Sequence, residues 1–163
     1  PTGEPFLLCG HFDRVALFND GIYIVDRKTS KSQLNSDFFD KFNPDNQMTL
    51  YSTAAQVVYN LPVKGVIIDA AQIGASFTRF QRGFTLRTES QLEEWYKDLG
   101  VWLAQASVYA SSNHWPMNDK SCGNYGGCPF RQICSKPESV RQEWLESSYA
   151  QRIWDPLQIR GDI

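Results

Sequence analysis

Ile22-Tyr23-Ile24-Val25-Asp26-Arg27-Lys28 decides how this chain is read, because apolar residues fill the segment and charge enters only at its end. Side chains of a strand point to opposite faces in turn. Ile22, Ile24, Asp26 and Lys28 therefore share one face, and Tyr23, Val25 and Arg27 the other. A carboxylate and an ammonium thus stand two positions apart at the end of a buried row. Just upstream, Asn19, Asp20 and Gly21 are turn formers, and before them Phe6 to Phe18 reads as a long strand with Phe6, Leu8, Phe12 and Val15 set among polar positions. Strand, turn and strand make a hairpin, on whose two arms Asp13 and Asp26 lie.

Working downstream, Thr29 to Phe42 is polar with phenylalanines and suits a loop or short helix beside the hairpin. Asn43 and Pro44 read as a helix cap and first-turn proline. Leu50, Ala54, Val57, Val58 and Leu61 then supply an apolar stripe that Pro62 ends. Val63 to Ala71 is short, apolar and β-branched, as a buried strand should be, and Phe77 to Arg87 follows as a more exposed one. The expected result is an α/β fold built on a mixed sheet flanked by helices. Thr88 and Gln91 form a capping box, after which Leu92, Trp95, Leu99, Trp102, Leu103 and Ala106 keep helical spacing. Ser111 to Ser135 is rich in Gly, Asn, Pro and Cys and reads as loop, and Pro137 to Trp154 as an amphipathic helix.

At 163 residues with 42% apolar content the chain can bury one core, so a single domain over 1–163 is expected, with its core at about 6–110 and a cysteine-rich segment and helix at about 111–163. A net charge of -2 provides no global basic field, so any contact with nucleic acid must be local. No apolar run approaches the roughly 20 residues that cross a bilayer, and no basic-then-apolar leader precedes the first strand. A soluble, cytoplasmic protein without a membrane partner is expected. The chain begins at Pro1 with a strand-like segment four residues later, which suggests that an upstream part is missing.

Hydrolysis of a phosphodiester near neutral pH needs a divalent cation and a way to make and aim hydroxide. Asp13 and Asp26 are hard oxygen ligands suited to Mg2+ or Mn2+, and the backbone carbonyl of Arg27 is a further candidate. Lys28, on the face of Asp26, can orient the attacking water or stabilise charge on the phosphate. Gln47 and Tyr51 are four apart and share one helical face. Each alone has a plainer reading: a D-x-K at a solvated strand end, a turn-proximal carboxylate, a helix surface pair. Together, Gly10-His11-Phe12-Asp13-Arg14-Val15, Ile24-Val25-Asp26-Arg27-Lys28-Thr29 and Gln47-Met48-Thr49-Leu50-Tyr51 resemble the successive motifs of RecB-like PD-(D/E)XK nucleases.

The resemblance implies a restriction-endonuclease-like fold and a metal-dependent deoxyribonuclease, exonucleolytic, in recombination, repair or phage DNA metabolism. It assigns Asp13 and Asp26 to the metal, Lys28 to the nucleophile, and Gln47 and Tyr51 to the lining of the site. The family's upstream helix, which adds a Glu or His, has no counterpart ahead of Phe6, so a second implication is a catalytically inactive DNA-binding or scaffolding module that keeps the fold. The substrate implied is DNA, single-stranded or with free ends, in a bacterial or phage-infected cell. Arg14, Arg27 and Lys31, with Arg79, Arg82 and Arg87, are candidate DNA contacts. Phe38, Phe39 and Phe42 could stack on unpaired bases or pack as core. His11 is expected to fill space, and His114 is ambiguous.

Cys122, Cys128 and Cys134 lie close in sequence and Cys9 far upstream, a grouping that favours a metal site over disulfides. Cys128-Pro129-Phe130-Arg131-Gln132-Ile133-Cys134 resembles the C-terminal motif of the iron-sulfur exonucleases of this branch, AddB-type and CRISPR-associated. That implies an iron-sulfur cluster, or Zn2+ in its place, with Cys9 available as fourth ligand. The gap between Cys122 and Cys128 is longer than the family's. Cys9 could simply be a small core residue, the commoner fate of an isolated cysteine, and an upstream cysteine could equally supply the fourth ligand.

Overall fold

The computed structural model describes residues 5–19, 21–153 and 155. Asp20 of the hairpin turn, Trp154 at the expected end of the last helix, and Pro1 lie outside them. The chain falls into two compact units, Pro1–Trp102 and Leu103–Ile163.

The first unit is organised by a four-stranded sheet in the order β1 (Arg14–Phe18), β2 (Gly21–Ser30), β3 (Val63–Ile73), β4 (Thr78–Thr85). β1 and β2 form the antiparallel hairpin, with Arg14 opposite Val25 and Phe18 opposite Gly21. Asn19 takes the left-handed conformation (φ 50°) that such a turn requires. β3 runs parallel to β2, with Asp26 opposite Ile68 and Lys28 opposite Ala70, and β4 returns antiparallel. The sheet is mixed, as expected. Gly65 sits where the β2–β3 register shifts, and a Cβ there would lie 2.7 Å from the Thr85 carbonyl oxygen, so the two backbones approach only because the side chain is absent.

The first strand is shorter than the sequence suggests. Residues 5–13 are not strand, because the Arg27 amide on the β1 side donates to Asp13 Oδ2 at 2.8 Å. A side chain takes the donor that a longer β1 would have used, and Gly10 adds no strand preference.

On one face of the sheet lie α1 (Ser36–Asp40) and α2 (Asn46–Tyr59). Asn35 caps α1 through Phe38 N, and Asp45 caps α2 through Met48 N. The cap of α2 is thus Asp45 and not Asn43, since Asp45 stands three residues before a free amide. The expected apolar stripe is also displaced. Val57 and Val58 are 77% and 67% exposed, while Met48, Thr49, Tyr51, Ser52, Thr53 and Ala55 are buried. Small residues let the helix approach the sheet closely, and the hydroxyls of Ser52 and Thr53 donate to carbonyls one turn back at Met48 and Thr49, so their burial leaves no orphan. The core joins Ile24, Leu34, Phe38, Phe42, Met48, Tyr51, Ala55, Val63, Val66, Ile68 and Ala70. Phe38 and Phe42 are therefore core residues and Phe39 packs against them, which removes them as stacking platforms for bases.

Arg87 is likewise structural. Its guanidinium donates to Phe42 O (3.0 Å), Thr49 Oγ1 (2.9 Å), Asn43 Oδ1 (3.1 Å) and Thr85 Oγ1 (2.6 Å), tying the end of β4 to the start of α2. Burial lowers its pKa from the ordinary arginine value, with Asp45 opposing the shift, and it stays charged at neutral pH. Arg87→Ala is expected to cost about 2 kcal/mol or more, read as a lower urea midpoint at constant slope, because several carbonyls lose a charged donor at once. An unchanged midpoint would deny it this role.

α3 (Glu89–Ser112) opens with the expected capping box, Thr88 N to Gln91 Oε1 at 2.8 Å and Gln91 N to Thr88 Oγ1 at 3.3 Å. Of its stripe Trp95 is buried, and its indole N–H donates to Asn46 Oδ1 at 3.1 Å. The second unit continues from Leu103 through two single 3-10 turns (Asp119–Ser121 and Asn124–Gly126), α4 (Arg131–Cys134) and α5 (Glu138–Ser148). α5 ends at Ser148, short of the expected Trp154. Tyr149 closes this unit on itself. Its ring stacks on Phe130 at 5.0 Å and its hydroxyl donates to Pro129 O at 2.7 Å.

Candidate active site

Asp26 and Lys28 point to the α2 face of β2, and the even-numbered alternation read from the sequence places them there. Asp26 is 3% exposed. Lys28 Nζ lies 2.7 Å from its Oδ2, an ion-pair distance, yet no donor meets that oxygen at a hydrogen-bonding angle. The contact is Coulombic, and the oxygen keeps lone-pair directions free.

The ammonium has a second acceptor. Lys28 Nζ donates to Gln47 Oε1 at 3.1 Å, and Gln47 Nε2 donates to Tyr51 Oη at 3.1 Å. An ammonium only donates, so the amide must turn its oxygen toward Lys28 and its nitrogen toward Tyr51. The Tyr51 hydroxyl accepts from Gln47 and keeps its own proton for another partner. α2 makes this possible by presenting Gln47 and Tyr51 one turn apart. Phe12 packs edge-on against the Tyr51 ring at 5.2 Å, fixing it from the stretch that leads to β1.

Asp13 is exposed and lies just before β1, where its carboxylate accepts from Arg27 N. Continuing the hairpin register from Arg14 opposite Val25 sets Asp13 level with Asp26. The structure thus joins Asp26, Lys28, Gln47 and Tyr51 in one continuous row, with Asp13 tied to the residue between Asp26 and Lys28. Two residues of this neighbourhood escaped the sequence reading. Phe12 was read only as an apolar strand position. Gln72, opposite Ser30 on the same sheet face, is 7% exposed with its Oε1 unbonded. Its parity with Lys28 across the β2–β3 pair was the available signal.

The donor set suits a divalent cation. A buried carboxylate oxygen with no hydrogen-bond donor is what a hard cation completes, and Asp13 offers a second carboxylate from the adjacent arm. Among the described residues, no group of three or more His, Cys, Asp or Glu side chains is gathered to hold a metal. Cys122, Cys128 and Cys134 are not gathered into such a group among the described residues, and none of the four cysteines forms a disulfide. Each of the three is carried by a different local turn. Cys122 caps the first 3-10 turn, Cys134 ends α4, and Cys128 joins them only through its amide, which donates to Cys122 O at 3.0 Å. Cys9 is exposed in the irregular stretch before Asp13.

Of the candidate DNA contacts, Arg82 pairs with Asp69 at 2.8 Å while its side chain stays 60% exposed. Arg14 and Arg27 are exposed with no ion-pair partner among the described residues. No described helix is long and apolar enough to cross a membrane.

No curated protein and no solved structure matches the chain. The sequence profile of the PD-(D/E)XK nuclease superfamily matches residues 2–135. That match covers most of the chain, includes every residue of the row, and agrees with a mixed four-stranded sheet flanked by helices: the chain belongs to the PD-(D/E)XK nuclease superfamily.

Proposed function

We propose that this chain is a Mg2+- or Mn2+-dependent deoxyribonuclease of the RecB-like branch, acting exonucleolytically on DNA that is single-stranded or has free ends. Membership of the superfamily carries the coarser part, a metal-dependent nuclease with DNA as substrate. The observation that supports the finer part is the row itself, a buried carboxylate bridged by a lysine to a glutamine and a tyrosine on the next helix.

In this reading Asp13 and Asp26 hold the cation, with the Arg27 carbonyl as a further ligand. Once bound, the cation would neutralise charge on the phosphate and acidify a water molecule. Lys28, held between Asp26 and Gln47, presents an N–H that Gln47 does not take to the water or to a phosphate oxygen. Gln47 fixes the ammonium and, through its amide nitrogen, the Tyr51 hydroxyl. The proton that Tyr51 retains is directed at a non-bridging phosphate oxygen. Phe12 keeps that phenol in place. Assignment of the whole of 1–163 to one functional domain, location in the cytoplasm of a bacterial or phage-infected cell, and a role in recombination, repair or phage DNA metabolism belong to the same proposal. So does a metal on Cys122, Cys128 and Cys134, with or without Cys9, whether iron-sulfur or Zn2+. What supports that part is the sequence likeness of the Cys128–Cys134 segment alone.

Linear DNA labelled at one end, incubated with the protein and Mg2+ or Mn2+, is expected to be shortened progressively from a free end, while covalently closed circular DNA survives. EDTA should stop the reaction. Absence of any metal-dependent cleavage of linear DNA by the full chain would favour the alternative, a non-catalytic DNA-binding or scaffolding module. Cleavage of closed circles would replace the exonuclease assignment with an endonuclease.

A further inference from the structure

The face of the sheet turned away from α2 carries side chains that the catalytic row does not use. By strand register, Arg14, Ala16 and Phe18 of β1 share that face with Tyr23, Val25 and Arg27 of β2, Ile67, Asp69 and Ala71 of β3, and Phe80, Arg82 and Phe84 of β4. Ring contacts agree with the register: Phe18 lies 6.3 Å from Tyr23 and 5.7 Å from Phe84, and Tyr23 lies 5.8 Å from Phe84. Exposure on this face is high for such residues. Phe18 is 37%, Phe84 50% and Phe80 78% exposed.

Charge on the same face is one-sided. Three guanidinium groups, those of Arg14, Arg27 and Arg82, meet one strand carboxylate, that of Asp69, which Arg82 already pairs. A chain with a net charge of -2 therefore concentrates positive charge around a cluster of open rings. Along β4 the order is ring, guanidinium, ring, at alternate positions about 7 Å apart.

We propose that this face binds single-stranded DNA as a second contact surface, its rings stacking on unpaired bases and its arginines pairing with phosphates. The inference rests on the reading of the chain as a DNA enzyme. Charge complementarity selects the occupant: a polyanion meets Arg14 and Arg27, which have no ion-pair partner among the described residues, and the exposed Arg82 beside them, whereas a second copy of the same face would oppose them with their own kind. Paired bases hide their faces within the stack, so exposed rings such as Phe80 and Phe84 take unpaired ones. Arg27 links the two surfaces, because its side chain lies on this face and its amide holds Asp13 on the catalytic edge.

Binding of a fluorescein-labelled oligo(dT) is measured by anisotropy in EDTA, where cleavage cannot interfere. The Phe80→Ala, Phe84→Ala double variant is expected to raise Kd about 10-fold or more. Phe80→Ala alone, at a side chain too exposed to affect folding, should raise it several-fold. Arg82→Gln should reduce the salt dependence of log Kd by about one unit of slope. Hydrolysis of the small diester bis(p-nitrophenyl) phosphate with Mn2+ should be unchanged in all three. Wild-type affinity in both phenylalanine variants would overturn the proposal, as would a wild-type protein that does not bind the oligonucleotide. Self-association in sedimentation that the phenylalanine variants abolish would assign the face to protein instead. Loss of diester hydrolysis by the wild type, with oligonucleotide binding intact, would instead refute the nuclease reading and leave this surface standing.

Discussion

Asp26→Asn is expected to lower metal-dependent DNA cleavage by at least about 10^3-fold while changing stability in EDTA by no more than about 1 kcal/mol. The two halves of this result come from one environment. Asp26 is almost fully buried, and its Oδ2 has an ion-pair neighbour but no hydrogen-bond donor. Burial makes the carboxylate costly to keep charged, and the nearby ammonium offsets part of that cost. Asparagine keeps the shape and removes the charge. Lys28, 28% exposed at its side chain, retains Gln47 as acceptor and reaches water, so it is not left as a stranded charge. Folding therefore changes little, but the carboxylate proposed to hold the cation is gone. A thermal scan separates this from a structural defect. Mn2+ should raise Tm of the wild-type chain by mass action on the native state and leave the Asn variant unmoved. Cleavage near the wild-type rate, or a loss of stability as large as a core truncation, would remove Asp26 from the metal site.

How much of this arrangement could be read from the sequence depends on the kind of signal each part carries. The β2 row was legible because strand alternation is rigid: once Ile22 and Ile24 point into the core, Asp26 and Lys28 must follow. Gln47 and Tyr51 were legible for the corresponding helical reason. The extent of β1 was not, because Asp13 replaces a backbone acceptor with its own carboxylate, and apolar patterning cannot register a side chain that ends a ladder. The buried side of α2 was misread since burial there selects small residues with self-satisfied hydroxyls, Ser52 and Thr53, over the larger Val57 and Val58. Arg87 looked like a surface cation because its partners, carbonyls and hydroxyls of the 42–49 segment, come from about forty positions away. Cys122, Cys128 and Cys134 lie close in sequence but on separate turns, with no group of three ligating side chains gathered among the described residues, so a metal there rests on sequence likeness alone.

Lys28→Ala should reduce cleavage at least about 10^2-fold, with a folded protein and an intact thermal response to Mn2+. The lysine contributes charge and a proton donor and is not itself a proposed metal ligand, so its loss and that of Asp26 must differ in one measurement. Removing the ammonium takes away the competitor that lies 2.7 Å from Asp26 Oδ2, and the carboxylate becomes more available to a divalent cation. The Mn2+-induced rise in Tm should thus be at least as large as in the wild-type chain, although the enzyme is crippled. In metal-free buffer the same variant leaves a buried carboxylate without its counter-charge, and Tm should fall, by about 2–4 °C for each kcal/mol lost in a chain of this length. Adding Mn2+ then restores stability without restoring activity, a pattern that a merely structural lysine would not produce. Equal cleavage by the wild-type and Lys28→Ala proteins would show that the row Asp26, Lys28, Gln47, Tyr51 is a packing motif, and that the chemistry is carried elsewhere.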